Sequence, residues 1–278
     1  MKTIYKSLIS FCCCLVILLA QAQEPVLSNA SFDQVLAVSK READARISYG
    51  PDPLQFGELW LPENTAEPVP LLVMIHGGCW LNSFDVSHTY GFNTALAEQG
   101  YAVWALEYRR TGDEGGGWPG SFEDIQAGIL ASEALAEYGV DTNRVALLGH
   151  SAGGHLALLA GLEPDLAETI DLVVGLAAIV DIEKYSLGSG SCQAATAQFM
   201  NGTLEEVPSD YAAANPHHKH LHIRTILFHG DVDQIVPVAQ AELEGADTHV
   251  FQGAGHFDWI HPGTSAFAYL LALLGELF

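Results

Sequence analysis

VALLGHSAGGHLAL, residues 145–158, opens as an apolar run, bends at a serine between glycines and continues rich in alanine and leucine. An apolar run without polar alternation reads as a strand covered on both faces, the kind found in parallel sheets. Outward from it, comparable runs recur at Leu71–Ile75, Ala102–Leu106, Leu172–Ile179, Thr225–Phe228 and Thr248–Phe251. Helical stretches lie between most of them, at Phe122–Tyr138, Ala152–Leu162, Val238–Gly245 and Thr264–Leu274. Strands alternating with helices predict an α/β fold, a mostly parallel central sheet with helices on both faces. Leu54–Leu61, bounded by Pro53 and Pro62, reads as an antiparallel strand ahead of that core.

No linker rich in Pro, Ser or Gly divides the chain after a polar stretch to about Gly50, so residues 23–278 are expected to form a single domain. Asp181–Asn215 is long, irregular and Gly- and Ser-bearing, a candidate cap over the strand ends. At the N-terminus, Lys2 and Lys6 precede an uncharged run, Leu8–Ala20, and the A-x-A sequence Ala20-Gln21-Ala22. That pattern predicts a signal peptide over residues 1–22 and a secreted or periplasmic protein, because the run is shorter than the roughly 20 residues of a spanning helix. Cys12, Cys13 and Cys14 would leave with it. Loss of the two lysines takes the formal charge from −23 to −25, and such an acidic surface repels nucleic acid and anionic membranes. Cys79 and Cys192 remain. An oxidising compartment permits them to pair, but their spacing fits no recognised disulfide framework, so they are expected to stay apart.

Ser151 sits where strand turns into helix, and glycine at 149 and 153 leaves room for the backbones that cross such a bend. A serine hydroxyl is a poor nucleophile until a base takes its proton and a carboxylate holds that base in one tautomer. His256, in the glycine-rich loop Gly253-Ala254-Gly255-His256, is the candidate base; His249 lies inside a strand. For the acid the residues leave three choices: Asp231 and Asp233, both following the strand Thr225–Phe228, and Asp258 on the loop of His256 itself. A developing oxyanion needs fixed N–H donors. The turn His76-Gly77-Gly78-Cys79-Trp80 after Leu71–Ile75 offers those of Gly77, Gly78 and Cys79, together with that of Ala152 behind the serine.

HGGCW at 76–80, GHSAGGHLAL at 149–158, HGDVDQIVP at 229–237 and GAGH at 253–256 together resemble the α/β-hydrolases that include kynurenine-formamidase-like enzymes, hormone-sensitive-lipase-like esterases and feruloyl or acetyl esterases. The resemblance covers roughly residues 50–278. It implies the α/β-hydrolase fold, a Ser151–Asp233–His256 triad with Asp233 preferred over Asp231, and a carboxylesterase-type serine hydrolase acting on a small-molecule short-chain acyl or aryl ester without a cofactor. The HGG-x-Trp turn is closer to the formamidase-like pattern than to HGGG, which keeps an arylformamidase or a peptidase-like acyl hydrolase as the alternative. Export argues against the formamidase, whose substrate is intracellular. A silent binding protein on the same fold is the remaining class, and such relatives usually lack a triad member.

Other features are read more plainly. His217, His218, His220 and His222 cluster before a strand, but alternating positions do not face one point, so no metal site is expected. His150 and His155 flank the serine and shape its turn. Trp80, Trp118, Trp259 and Phe84 are candidate walls for an aromatic group, with core packing the commoner role.

Overall fold

The structure, a computed structural model, describes residues 27–63 and 65–277. The signal peptide expected at residues 1–22 lies outside the described residues. The strands are β1 (Ala45–Ser48), β2 (Phe56–Trp60), β3 (Val69–Ile75), β4 (Ala102–Leu106), β5 (Val140–His150), β6 (Leu172–Leu176), β7 (Arg224–Gly230) and β8 (Asp247–Phe251). The α-helices are α1 (Phe32–Leu36), α2 (Tyr90–Glu98), α3 (Gly120–Leu130), α4 (Ala152–Ala160), α5 (Ile182–Ser186), α6 (Ser191–Phe199), α7 (Pro208–Ala213) and α8 (Ser265–Leu277). One sheet runs β1-β2-β4-β3-β5-β6-β7-β8, antiparallel at β1–β2 and β2–β4 and parallel from β4 onward.

Strand periodicity divides the core into two layers. Leu71, Val73 and Ile75 of β3 pack with Ile125 of α3 and Leu156 of α4 on one face. Leu72 and Met74 pack with Phe92 of α2 and Leu270 of α8 on the other. Both layers are needed because these strands are apolar on both sides; each such side chain contributes about 1.5–3 kcal/mol when taken from water. The parallel strands β3, β5, β6 and β7 therefore deliver their carboxyl ends to one edge, where ligands of open α/β sheets bind.

The α/β fold with its antiparallel leading strand agrees with the sequence reading. Four details differ. Phe122–Tyr138 is two elements, because α3 ends at Leu130 and a 3-10 helix follows to Tyr138, closed by left-handed Gly139. Leu172–Ile179 stops being strand at Leu176, where the next residue, Ala177, takes φ 48°. Val238–Gly245 is not an α-helix but a short 3-10 turn, Val238–Ala241. The Ala241 carbonyl accepts from the Thr248 hydroxyl at 3.2 Å and the Glu242 carbonyl from the His217 ring at 3.1 Å, so neither serves a helical ladder. Asp181–Asn215 is not irregular, since it folds into α5, α6 and α7. Its ends are tied together where Asn215 Nδ2 donates to Asp181 Oδ1 at 3.1 Å.

Candidate active site

β5 runs directly into the bend at Ser151, whose φ of 57° and ψ of −119° lie where L-residues are rarely found. Such a conformation costs roughly 1–3 kcal/mol and persists only when the surroundings enforce it. Here they do. The Ser151 N–H donates to Leu176 O at 2.9 Å, and its carbonyl accepts from His155 N at 3.1 Å. A Cβ on Gly149 would stand 2.3 Å from Gly153 O, and one on Gly153 2.3 Å from both Ile75 O and His76 O. Glycine at both positions is thus a steric requirement.

The histidine and the acid meet as a buried pair. His256 Nδ1 donates to Asp233 Oδ2 at 2.7 Å. Asp233 Oδ1 accepts from the amides of Ile235 and Val236, both at 2.8 Å, so the carboxylate cannot swing away. Burial pushes the Asp233 carboxyl up, but the hydrogen bond and charge of His256, with the two amides, outweigh it and hold the group below the usual carboxylate range. With Nδ1 committed as donor, His256 Nε2 is left as the acceptor a hydroxyl proton needs. His150, the residue before Ser151, donates from Nε2 to the His256 carbonyl at 3.0 Å, and the two rings lie 4.7 Å apart. That contact docks the histidine loop against the serine bend. Burial, first of all, drives His150 far down from its ordinary value, so it stays neutral and structural.

The other acids have different work. Asp231 Oδ1 accepts from Gly253 N at 2.6 Å, bracing the loop before His256. Asp258 accepts from Gly255 N at 2.8 Å and from Asn29 N and Ala30 N at 2.7 and 2.6 Å, pinning that loop to the N-terminal segment.

The second glycine-rich turn lies against the first. A Cβ on Gly77 would stand 2.8 Å from His150 O and 3.0 Å from the Ser151 Cβ. Gly78, Cys79 and Trp80 follow with φ of 112°, 53° and 58°. Ala152 is the first residue of α4, so its N–H has no partner within the helix and lies at the positive end of the helix dipole. Gly77 thereby lies beside Ser151, Gly78 and Cys79 continue its turn, and Ala152 follows the serine as the first residue of α4. Cys79 and Cys192, expected apart, are joined in a disulfide, their Cα atoms 5.2 Å apart across 113 residues. Only the folding of α6 onto this turn brings them within reach, which no spacing rule could supply.

Sequence reasoning also missed what lies beneath the turn. His76 Nε2 is 3.2 Å from Glu107 Oε1, and Arg110 Nη1 is 3.2 Å from the same oxygen. Glu107 is buried, which raises its carboxyl, yet the charge of His76, its hydrogen bond and Arg110 together bring it below the ordinary range. Charged residues directly after an apolar strand, here Glu107 to Arg110 after β4, were the available signal.

The remaining candidates scatter. His155 Nε2 donates to Ala214 O at 2.7 Å. Trp259 is buried against Phe228 and Phe251 in the core layer that holds α8, so it is a packing residue. Trp80 is buried and stacked on Phe199, while Trp118 and Phe84 are half-buried. His217, His218, His220 and His222 precede β7, at the end of the sheet opposite Ser151. Among the described residues no three His, Cys, Asp or Glu side chains are grouped to hold a metal ion.

Known proteins agree with this architecture. The chain is 29% identical over 216 residues to Esterase LipC of Mycobacterium tuberculosis (strain ATCC 25618 / H37Rv), covering 70% of this chain and 52% of that one. It is 26% identical over 212 residues to a probable isoprenylcysteine alpha-carbonyl methylesterase, ICMEL1, of Arabidopsis thaliana, covering 69% of this chain and 44% of that one. The chain thus spans about half the length of these curated relatives. Esterase B of Lactobacillus rhamnosus HN001 has the same fold, with a TM-score of 0.71 at 21% identity over 88% of this chain and 89% of that one. The BD-FAE family profile matches residues 58–244, more than half the chain and the stretch that carries the serine bend, the HGG turn and Asp233, and the chain therefore belongs to the BD-FAE family of α/β-hydrolases.

Proposed function

We propose that this chain is an exported serine carboxylesterase cleaving short-chain acyl or aryl esters. Ser151 Oγ attacks the ester carbonyl carbon as His256 Nε2 takes its proton, and the imidazolium is stabilised by Asp233. The carbonyl oxygen becomes an oxyanion beside the amides of Gly77, Gly78, Cys79 and Ala152. Collapse breaks the bond to the alcohol, which leaves with the proton from His256, and water repeats the sequence to free the acid. The observation that carries this reading is the buried His256–Asp233 pair at 2.7 Å, docked through His150 onto a serine held at φ 57°.

The relatives' names, an esterase and a probable methylesterase, favour an ester over an amide. Short acyl groups are favoured because Ile182, Tyr185, Phe199 and Met200 of the Asp181–Asn215 segment are buried in the body of the protein, leaving Leu187 as its exposed large apolar residue. Export is supported by the Cys79–Cys192 disulfide, which persists in oxidising compartments. No helix among the described residues is long and apolar enough to cross a membrane.

Stopped-flow hydrolysis of p-nitrophenyl acetate tests the proposal. A burst of one p-nitrophenol per enzyme is expected, with Asp233→Asn slowing turnover about 10⁴-fold and Asp231→Asn less than about tenfold. No burst would sink the acyl-enzyme, and equal losses would move the acid. Rates rising from acetate to palmitate would overturn the short-chain preference.

A further inference from the structure

α6 touches the HGG turn at two points. Cys192, its second residue, is bonded to Cys79, and Phe199, its last, stacks on Trp80 with ring centroids 4.8 Å apart and planes 13° from parallel. One helix therefore grips two adjacent residues of the turn through its two ends. Those two are the non-glycine residues held at positive φ, 53° and 58°, directly after Gly78 at 112°. An L-residue stays in that region only where its surroundings over-determine it.

Main-chain bonds brace the turn in part: Leu81 N donates to Gly78 O at 3.0 Å and Thr111 N to Trp80 O at 2.8 Å. The Trp80 indole N–H is buried and has no hydrogen-bond partner among the described residues, so packing alone fixes the ring. Its neighbours there are Phe199 and the edge of His155, whose centroid is 5.4 Å away. α6 is anchored in turn, for Trp118 N donates to Phe199 O at 2.8 Å.

We propose that Cys192 and Phe199 are positioning residues of the acyl-transfer reaction, holding the oxyanion amides in register with Ser151 through Cys79 and Trp80. Turnover then depends on the redox state of the disulfide. A dithiol reductant converts the bond to two cysteine thiols while itself becoming a disulfide, and α6 loses one of its two grips. The inference rests on the esterase reading.

The test measures kcat and KM for p-nitrophenyl acetate on the oxidised and dithiothreitol-reduced wild-type protein, well below the melting temperature of the reduced form. Losing a whole oxyanion donor costs about 10²–10³ in kcat, so a displaced one is expected to cost about tenfold or more with KM within about twofold. Reoxidation should restore the rate. The Cys79→Ala/Cys192→Ala double variant should start slow and ignore the reductant, and Phe199→Ala should likewise lower kcat. A kcat unchanged by reduction, or a loss carried wholly by KM, would overturn the clamp and leave the esterase reading standing. Absence of turnover by the oxidised protein on any ester would instead remove the esterase reading itself.

Discussion

At the serine bend, the left-handed residue is enforced by main chain packed around it: a Cβ on Gly149 would stand 2.3 Å from Gly153 O, one on Gly153 2.3 Å from Ile75 O and His76 O, and the Ser151 carbonyl accepts from His155 N–H. At the HGG turn, two left-handed residues are held by a helix whose bonded cysteine is 113 residues away. The two turns lie against each other, and both hold non-glycine residues at positive φ. They differ in how that conformation is sustained: the first by close-packed main chain, the second by side chains of α6 that a change of conditions can release. Main-chain enforcement is permanent, whereas a side-chain clamp is adjustable.

The largest effect is expected at Ser151 itself. Ser151→Gly should lower ester turnover by about 10⁴–10⁶-fold, the cost of losing the triad nucleophile. The same change should raise stability by about 1 kcal/mol, because glycine accepts φ 57° without strain and so releases what the bend stores. Urea unfolding alongside kinetics checks both; a destabilised variant would mean that the bend holds no strain.

A smaller effect is expected at Gly153. Gly153→Ala drives a methyl group against the carbonyls of Ile75 and His76, so it disturbs the serine bend and the strand end feeding the HGG turn together. Overpacking there should cost about 3 kcal/mol and most of the activity. If the variant were as stable as wild type by urea midpoint, the local steric account would be wrong.

The smallest effect separates conditions rather than residues. Burial lowers His88 to about 3 and His155 to about 4, and drives His150 well below its ordinary value. A base whose folded pKa is depressed stays neutral in the native state while the unfolded chain takes up protons below about 6.5, so stability is complete above that value and falls as pH drops. Burial lowers His229 in the same direction, and each such group costs about 1 kcal/mol between pH 6.5 and 5.5. Urea midpoints across that interval should fall accordingly, and His155→Gln should flatten the slope by about a quarter. An even stability across it would show that these rings take up protons inside the fold.

Legibility in the sequence followed the same division. The parallel strands were readable because residues such as Leu71–Ile75 and Ala102–Leu106 are apolar without alternation, which is a property of the strand alone. β1 was not, since Ala45–Ser48 is a half-exposed edge strand with a single isoleucine, and α2 was not, since Tyr90–Glu98 mixes glycine, asparagine and threonine and is buried only by its neighbours. Ser151 and His256 were legible from the glycines around them. Asp233 was separated from Asp231 by resemblance, and in the structure by which carboxylate the His256 ring reaches.

What the sequence determined by itself is what short-range physics enforces: the strand-to-helix bend, the glycines it demands and the apolar runs that must be covered on both faces. Which residues meet was set by the fold. The Cys79–Cys192 bond, the stacking of Phe199 on Trp80, the Glu107 cluster under His76 and the docking of His150 on the His256 carbonyl join residues whose separation along the chain sets no distance. Their proximity follows from the order of strands in the sheet and from where α6 comes to rest, and those depend on how all the apolar surfaces are buried at once.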